Sequence, residues 1–346
     1  MADVMTVRGP VPASELGTTM AHEHVVFDLG TYYTRADDEP DDAGEDGWVP
    51  VAQDRLWWLR THPMNSRANL VHDDVELAVT ELNQFAAAGG RTVVDQTVAG
   101  IGPQPDLLVE VSERTGVHIV AGTGFYIPGS YPAEVAEWPV EAIADRLRQE
   151  LTAGIAGSDV RAGMIGELGV SEPLLPFEQR LLAAAGKVQA ETGCAVAIHT
   201  PWSPEGVRAT AIAAEAAALD PARTALCHLD NRFGDATGHY RDVARHGFML
   251  SMDCFGRDCY YPHLDTQLPS DAQRIRALTE LLDSGLDGQI LVSQDICFVH
   301  ELAAKGGHGY AHILRSIVPR LRRAGVTDEA LHRILVENPA AWLAGG

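Results

Sequence analysis

Histidines and carboxylates at the ends of apolar runs are the first chemistry this chain offers. His22 and His24 flank Glu23 in a strand-like stretch. Alternation along an extended backbone puts both imidazoles on one face, close enough to bind one metal ion. Four more polar residues close apolar runs further along. Glu167 follows Met164-Ile165-Gly166, His199 follows Ala195-Val196-Ala197-Ile198, His228 follows Leu226-Cys227, and Asp295 follows Leu291-Val292-Ser293-Gln294. Singly, each reads as a satisfied polar group. As a set at successive strand ends they read as ligands, because buried imidazoles and carboxylates are costly unless a cation satisfies them. The expected site is binuclear, with His22, His24 and Asp295 on one divalent ion and His199 and His228 on the other. Glu167 spans both with its two oxygens. Water between two cations becomes hydroxide near neutral pH, and Asp295 is placed to take a proton as it attacks.

Such a set needs a scaffold that lines it up. Strands are predicted at Thr18–His24, Arg91–Thr97, Val117–Gly122, Ala162–Leu168, Ala195–Thr200, Thr224–Leu229, Gly247–Asp253 and Gln289–Asp295. Helices are predicted over Asp74–Ala88, Pro105–Thr115, Pro139–Ala153, Pro176–Thr192, Gly206–Leu219, Asp271–Ser284 and Gly309–Ala324. Several open at Pro or after Asp, and Gly89, Gly116, Gly193 and Gly285 follow their ends. The alternation predicts an α/β chain folded as one closed (β/α)8 TIM barrel over residues 1–346, with chemistry at the C-terminal ends of its strands. Gly30–His72 breaks the alternation and is predicted as a long loop insertion after strand 1. Its Asp37–Asp46 run holds seven acidic residues in ten and is expected as solvated surface. Trp48, Trp57 and Trp58 are expected to line or cap the site.

Composition narrows the function. The 346 residues carry 26 Lys+Arg against 48 Asp+Glu, a formal charge of −22. Lys187 and Lys305 are the two lysines and no basic stripe exists, which excludes nucleic acid and anionic membranes as partners. Neither a signal peptide nor an apolar run of spanning length is read, and five cysteines without a Cys-x-x-Cys spacing read as reduced cytoplasmic thiols. Cys254, Cys259 and His263 read as ordinary loop packing. Arg257 and Arg232 follow strands seven and six, where they can receive a substrate carboxylate or phosphate, and His308 can enter the substrate pocket from the loop after strand eight.

Seven stretches carry a resemblance over nearly the whole chain. They are Gly17-Thr18-Thr19-Met20-Ala21-His22-Glu23-His24, Gly122-Thr123-Gly124-Phe125-Tyr126, Gly166-Glu167-Leu168-Gly169, Ile198-His199-Thr200, Cys227-His228-Leu229-Asp230, Ser293-Gln294-Asp295 and Gly306-Gly307-His308-Gly309-Tyr310. The chain resembles the phosphotriesterase-related family of the amidohydrolase superfamily, in the subset where Glu rather than a carboxylated lysine bridges the metals. The resemblance implies the barrel, two divalent metals (usually zinc, with Mn2+ or Co2+ as alternatives) and hydrolysis by an activated hydroxide. It matches His22, His24, Glu167, His199, His228 and Asp295 to the family's ligands and Tyr126 to a substrate-orienting tyrosine of lactone-cleaving relatives. Cys254, where family branches carry His or Arg, and Asn231, where phosphotriester-cleaving members carry an acidic residue, both argue against efficient phosphotriesterase activity. The expected reaction is therefore hydrolysis of a lactone or carboxylic ester of a small polar metabolite. Amide hydrolysis of N-acyl amino acids or amino-sulfonates and weak phosphotriesterase activity are the alternatives. A ligand-binding barrel without turnover predicts a missing ligand. A homodimer is the family's expectation.

Overall fold

The computed structural model describes residues 3–40, 43–44, 46–231, 237–261 and 264–344. Arg232, His263 and the acidic residues Asp41, Asp42 and Glu45 lie outside them. Eight short runs of Val, Ile, Ala, Leu and Met form the strands β1 (Thr19–Glu23), β2 (Thr92–Asp95), β3 (His118–Thr123), β4 (Met164–Gly169), β5 (Ala195–His199), β6 (Thr224–Cys227), β7 (Met249–Met252) and β8 (Ile290–Val292). They stand side by side in chain order, each paired in parallel with the next. This is the (β/α)8 barrel that the alternation predicts.

The seam between β8 and β1 is held by a single buried carboxylate. Glu23 accepts from Ser293 Oγ (2.7 Å), Gln294 N (2.9 Å), Gln294 Nε2 (2.7 Å) and Ile296 N (2.9 Å). The Asp295 backbone N–H adds a bond to the His22 carbonyl at 3.2 Å.

Alternation sorts the strand residues into two layers. Ala21, Val94, Val120, Ala197, Ala225 and Leu291 face a narrow interior, whereas Met20, Val93, Ile119, Val196, Leu226 and Leu250 pack under the helices. An antiparallel hairpin, Asp3–Thr6 with Gly9–Pro12, closes the N-terminal end, where Val4, Leu16 and Trp342 join the inner cluster. The opposite end is left for polar side chains.

Local sequence explains the helices. Asp74 caps Val75–Ala87 by accepting from Leu77 N at 3.1 Å, and prolines open Pro105–Thr115, Pro176–Thr192 and Pro204–Ala216. Gly116 and Gly193 end two of these helices in the left-handed conformation. The helix expected from Gly309 begins later: Gly309 has φ +67°, and a wide turn over Ile313–Ile317 leads into Val318–Arg323, which carries Pro319. A proline has no N–H for the ordinary helical bond, which favours such an irregular turn. Two helical stretches lie outside the sequence-based expectation: Gly238–Ala244, which is too short to show a helical period, and the run from Asp328 to Leu343, where Leu331, Ile334, Leu335 and Trp342 do keep that period. None of the described helices is long and apolar enough to cross a membrane.

Candidate metal centre

All six predicted ligands converge at the C-terminal mouth of the barrel. His199 and Asp295 arrive by simple alternation behind inward-facing Ala197 and Leu291. His22 and Glu167 do not, since their parity points outward. Pairing slips between Met20 and Glu23 in β1 and between Ile165 and Leu168 in β4, and these irregularities turn both side chains inward. Gly166 is required at the second slip, because it has φ +120° and a Cβ there would lie 2.3 Å from the Ala197 carbonyl oxygen. His228 and Asp295 themselves hold φ of +60° and +50°. Such conformations are costly for residues with side chains and cluster at functional sites.

The two carboxylate oxygens of Glu167 serve two compartments. Oε1 lies 3.6 Å from His22 Nε2 and 3.4 Å from His24 Nε2, and Asp295 Oδ1 is 3.7 and 3.3 Å from the same nitrogens. Oε2 lies 3.0 Å from His199 Nδ1 and 3.2 Å from His228 Nε2. The first set is too widely spaced for good hydrogen bonds. It matches the roughly 3.3 Å edge of a tetrahedron with metal–ligand bonds of ~2.0–2.1 Å. His22 Nε2 is enclosed and has no hydrogen-bond partner, which is the signature of a nitrogen lone pair kept for a cation. The donor set thus fits a pair of divalent ions.

Sequence reasoning missed the residue that orients both compartments. Asp253 is fully buried and takes His22 Nδ1 on one oxygen and His228 Nδ1 on the other, each at 3.0 Å. Each Nδ1–H is thereby engaged, and each Nε2 is turned inward. Burial opposes ionisation of Asp253, but His228 and His22 overcome it and hold the carboxyl well below its usual range. Thr97 does the same for His24, with Oγ1 3.0 Å from Nδ1. Asp253 is positioned in turn by Asp230, which accepts from the Asp253 and Cys254 backbone N–H groups and pairs with buried Arg274 at 3.0 Å. Cys254 packs behind this network with Sγ 3.6 Å from Asp253 Oδ1, and burial pushes its thiol pKa well up.

A cavity of ≈ 70 Å³ opens above the cluster, among Leu29, Tyr32, Tyr126, Trp202, Asn231 and Cys297. Tyr126 stands where the resemblance placed it, its hydroxyl 3.3 Å from His199 Nδ1 and receiving a hydrogen bond from Tyr32 at 2.9 Å. Arg257 also lines this cavity, but its guanidinium is engaged by protein. It donates to Asp295 Oδ2 at 2.8 Å and to both oxygens of Glu301 at 2.8 and 3.1 Å. Burial opposes ionisation of Asp295, yet Arg257 and the imidazoles hold its carboxyl down at about 2. His308 lies in a separate cavity of ≈ 490 Å³ behind Arg257 and Glu301. The insertion reaches the site, but through Tyr32 and Met64. Its tryptophans do not line the cavity: Trp58 is buried on Val49 and Leu59, while Trp48 and Trp57 are 49% and 69% exposed.

The sequence pattern of the phosphotriesterase family matches residues 2–343. N-acetyltaurine hydrolase of Tetraodon nigroviridis is 35% identical over 98% of this chain and 97% of its own length. Among solved structures, a resiniferatoxin-binding protein from Rhodobacter sphaeroides superposes with TM-score 0.92 at 35% identity, covering 99% of this chain and 95% of that one. A mutant PTE-like lactonase from Deinococcus radiodurans superposes at 0.75 with 30% identity, covering 98% and 99%. The chain belongs to the phosphotriesterase family and is a metal-dependent hydrolase.

Proposed function

We propose that this hydrolase cleaves the amide bond of a small N-acylated amine that carries an acid group, an N-acyl amino-sulfonate or N-acyl amino acid. The observation that carries this reading is the cavity over the cluster, which brings Asn231, an amide-bearing side chain, and the Tyr126 hydroxyl beside the ligands His199, His228 and Asp295. The 35% likeness to N-acetyltaurine hydrolase over nearly the whole of both chains supports the same class.

In this reading His22, His24 and Asp295 would hold one divalent ion and His199 and His228 the other, with Glu167 available to both. Zinc suits these N/O donors, with manganese and cobalt as alternatives. Bound there, the ions polarise the substrate carbonyl and acidify water. The chain's own residues do the rest. Asp295 is ionised at neutral pH, the state in which it can accept a proton, and Arg257 fixes its second oxygen. Tyr126 presents its hydroxyl beside His199, where it orients the acyl oxygen. Tyr32, Trp202 and Tyr261 give the cavity aromatic walls on which the apolar part of a substrate can pack.

Lactone hydrolysis is the second reading, favoured by Tyr126 beside His199 and by the Deinococcus likeness. Amine release from N-acetyl amino-sulfonates and N-acetyl amino acids, set beside proton release from lactones, separates the two. The expected result is amine release with kcat/KM at least about tenfold above that for any lactone, a margin worth 1.4 kcal/mol. Lactone turnover without amine release from any N-acyl compound would replace the amide reading with the lactone one.

A further inference from the structure

Asn231 takes no step in the chemistry above, yet it occupies a telling place. Its backbone N–H bonds the His228 carbonyl at 3.1 Å, so it sits in the tight turn directly after a ligand. It lines the cavity over the cluster and is 6% exposed. Its side-chain oxygen Oδ1 is enclosed and has no hydrogen-bond partner. Among the described residues that form the cluster or line its cavity, the other such atom is His22 Nε2, which the cation explains. A buried carbonyl oxygen left without a donor is costly, and in a binding site its partner is commonly the ligand.

The missing partner must be a donor. At the scissile bond a lactone or a carboxylic ester presents acceptor oxygens alone, and neither a carboxylate nor a sulfonate adds a donor. An amide offers one N–H on the atom that leaves. We propose that Asn231 determines specificity by accepting the N–H of the scissile amide, an inference that rests on the amidase reading above. In the reaction the water oxygen joins the acyl carbon and the C–N bond breaks with its electron pair on nitrogen. Both water protons end on that nitrogen, giving a carboxylate and an ammonium. Asn231 takes no proton. It holds the N–H at the turn after His228, which fixes the plane of the amide over the cluster, and it disfavours leaving groups that lack the hydrogen.

The test compares one acyl group on two leaving atoms: N-acetyl-2-aminoethanesulfonate and its oxygen isostere, the acetyl ester of 2-hydroxyethanesulfonate. Amide and ester kcat/KM are measured on the same preparation of wild type, Asn231→Leu, Asn231→Ala and Asn231→Asp, with metal content alongside. Their ratio does not depend on how much of a variant is folded. The Leu and Ala variants are expected to lower the amide-to-ester ratio about 10- to 100-fold, the loss of one hydrogen bond to a buried acceptor. Asn231→Asp keeps an acceptor and is expected to keep most of the ratio. An unmoved ratio, or equal losses on both substrates together with lost metal, overturns the inference and leaves amidase activity standing. A wild type that releases no amine overturns the inference and the amidase reading together.

Discussion

Two groups of histidines stand back to back across the Arg257–Glu301 pair; burial prevails in one, while neighbouring carboxylates overcome it in most of the other. His300, 5% exposed, is pushed down to about 4 because burial disfavours its charge and Glu301, already paired with Arg257, offers little to offset it. Half-buried His308 is pushed down to about 3 for the same reason. At the strand ends burial acts in the same direction, but Asp295 and Glu167 overcome it and bring His24 up to about 9. Glu167 and Asp253 raise His22, and Asp253 with Asp295 raises His228. His199 departs from this, since burial outweighs Glu167 there. Imidazoles alone therefore do not make a cation site. The strand-end group has three buried carboxylates woven through it, Glu167, Asp253 and Asp295, and these favour positive charge there, on an imidazole or on a bound cation.

The strongest way to break this contrast is to remove the shared carboxylate. Glu167→Ala is expected to empty both compartments and lower kcat/KM by at least about 10^4-fold. Elemental analysis after dialysis checks it, and two ions retained per chain would show that Glu167 does not bridge. Asp295→Asn comes next. It keeps an oxygen toward His22 and His24 but loses a proton acceptor, so kcat should fall roughly 10^2- to 10^4-fold with much of the metal still bound. Retained turnover would remove Asp295 from the proton path.

Asp253 tests the contrast one layer out. Asp253→Asn can still meet one of the two Nδ1–H groups with its carbonyl oxygen, but its amide cannot accept from the other. A loss of about 10- to 100-fold in metal affinity or activity is expected. Chelator titration should find both ions weakened, since His22 and His228 belong to different compartments. Weakening of one ion alone would assign Asp253 to a single site.

The difference between Asp253 and the six ligands also shows what the sequence can carry. His199 and Asp295 announce themselves as polar residues closing inward-facing apolar runs, and the barrel they close follows from the same alternation. Asp253 closes a run in the same way, but its meaning lies in partners 231 and 25 residues away, which no spacing rule connects. Glu23 sits between two predicted ligands and turns away from them to hold the barrel seam, because the slip in β1 reverses the expected faces. Arg257 is legible as a cation near the site, whereas its commitment to Asp295 and Glu301 depends on how two loops meet. The tryptophans fail for a related reason. The path of a long insertion is set by tertiary packing, and it presents Tyr32 and Met64 to the cavity instead.

Acid should separate the two histidine groups in solution. His300 and His72 are each pushed down to about 4 by burial, below the ordinary value of 6.5. The unfolded chain then takes up protons first as pH falls below 6.5, so the stability these neutral imidazoles contribute is complete above that value. It is lost progressively toward pH 4. Denaturant midpoints measured between pH 7 and 5 should fall, and His300→Gln should flatten the decline. An equal slope in that variant would take His300 out of the acid response.

The smallest effect sharpens the contrast most, because it concerns the histidine that sequence reasoning placed in the substrate pocket. His308 packs its ring over Gly256, where a Cβ would come within 2.5 Å of it, and it lines the ≈ 490 Å³ cavity behind Arg257. Its Nε2 has no partner, and no carboxylate of the cluster reaches it. If the wall formed by Arg257 and Glu301 separates the two cavities during turnover, His308→Asn removes no contact with substrate and should leave kcat/KM within about threefold of wild type. Its metal content should equal that of wild type. A rise in KM of tenfold or more with kcat unchanged would mean that substrate crosses the wall and that the second cavity belongs to the binding site. The two histidine groups would then differ in charge but serve one reaction.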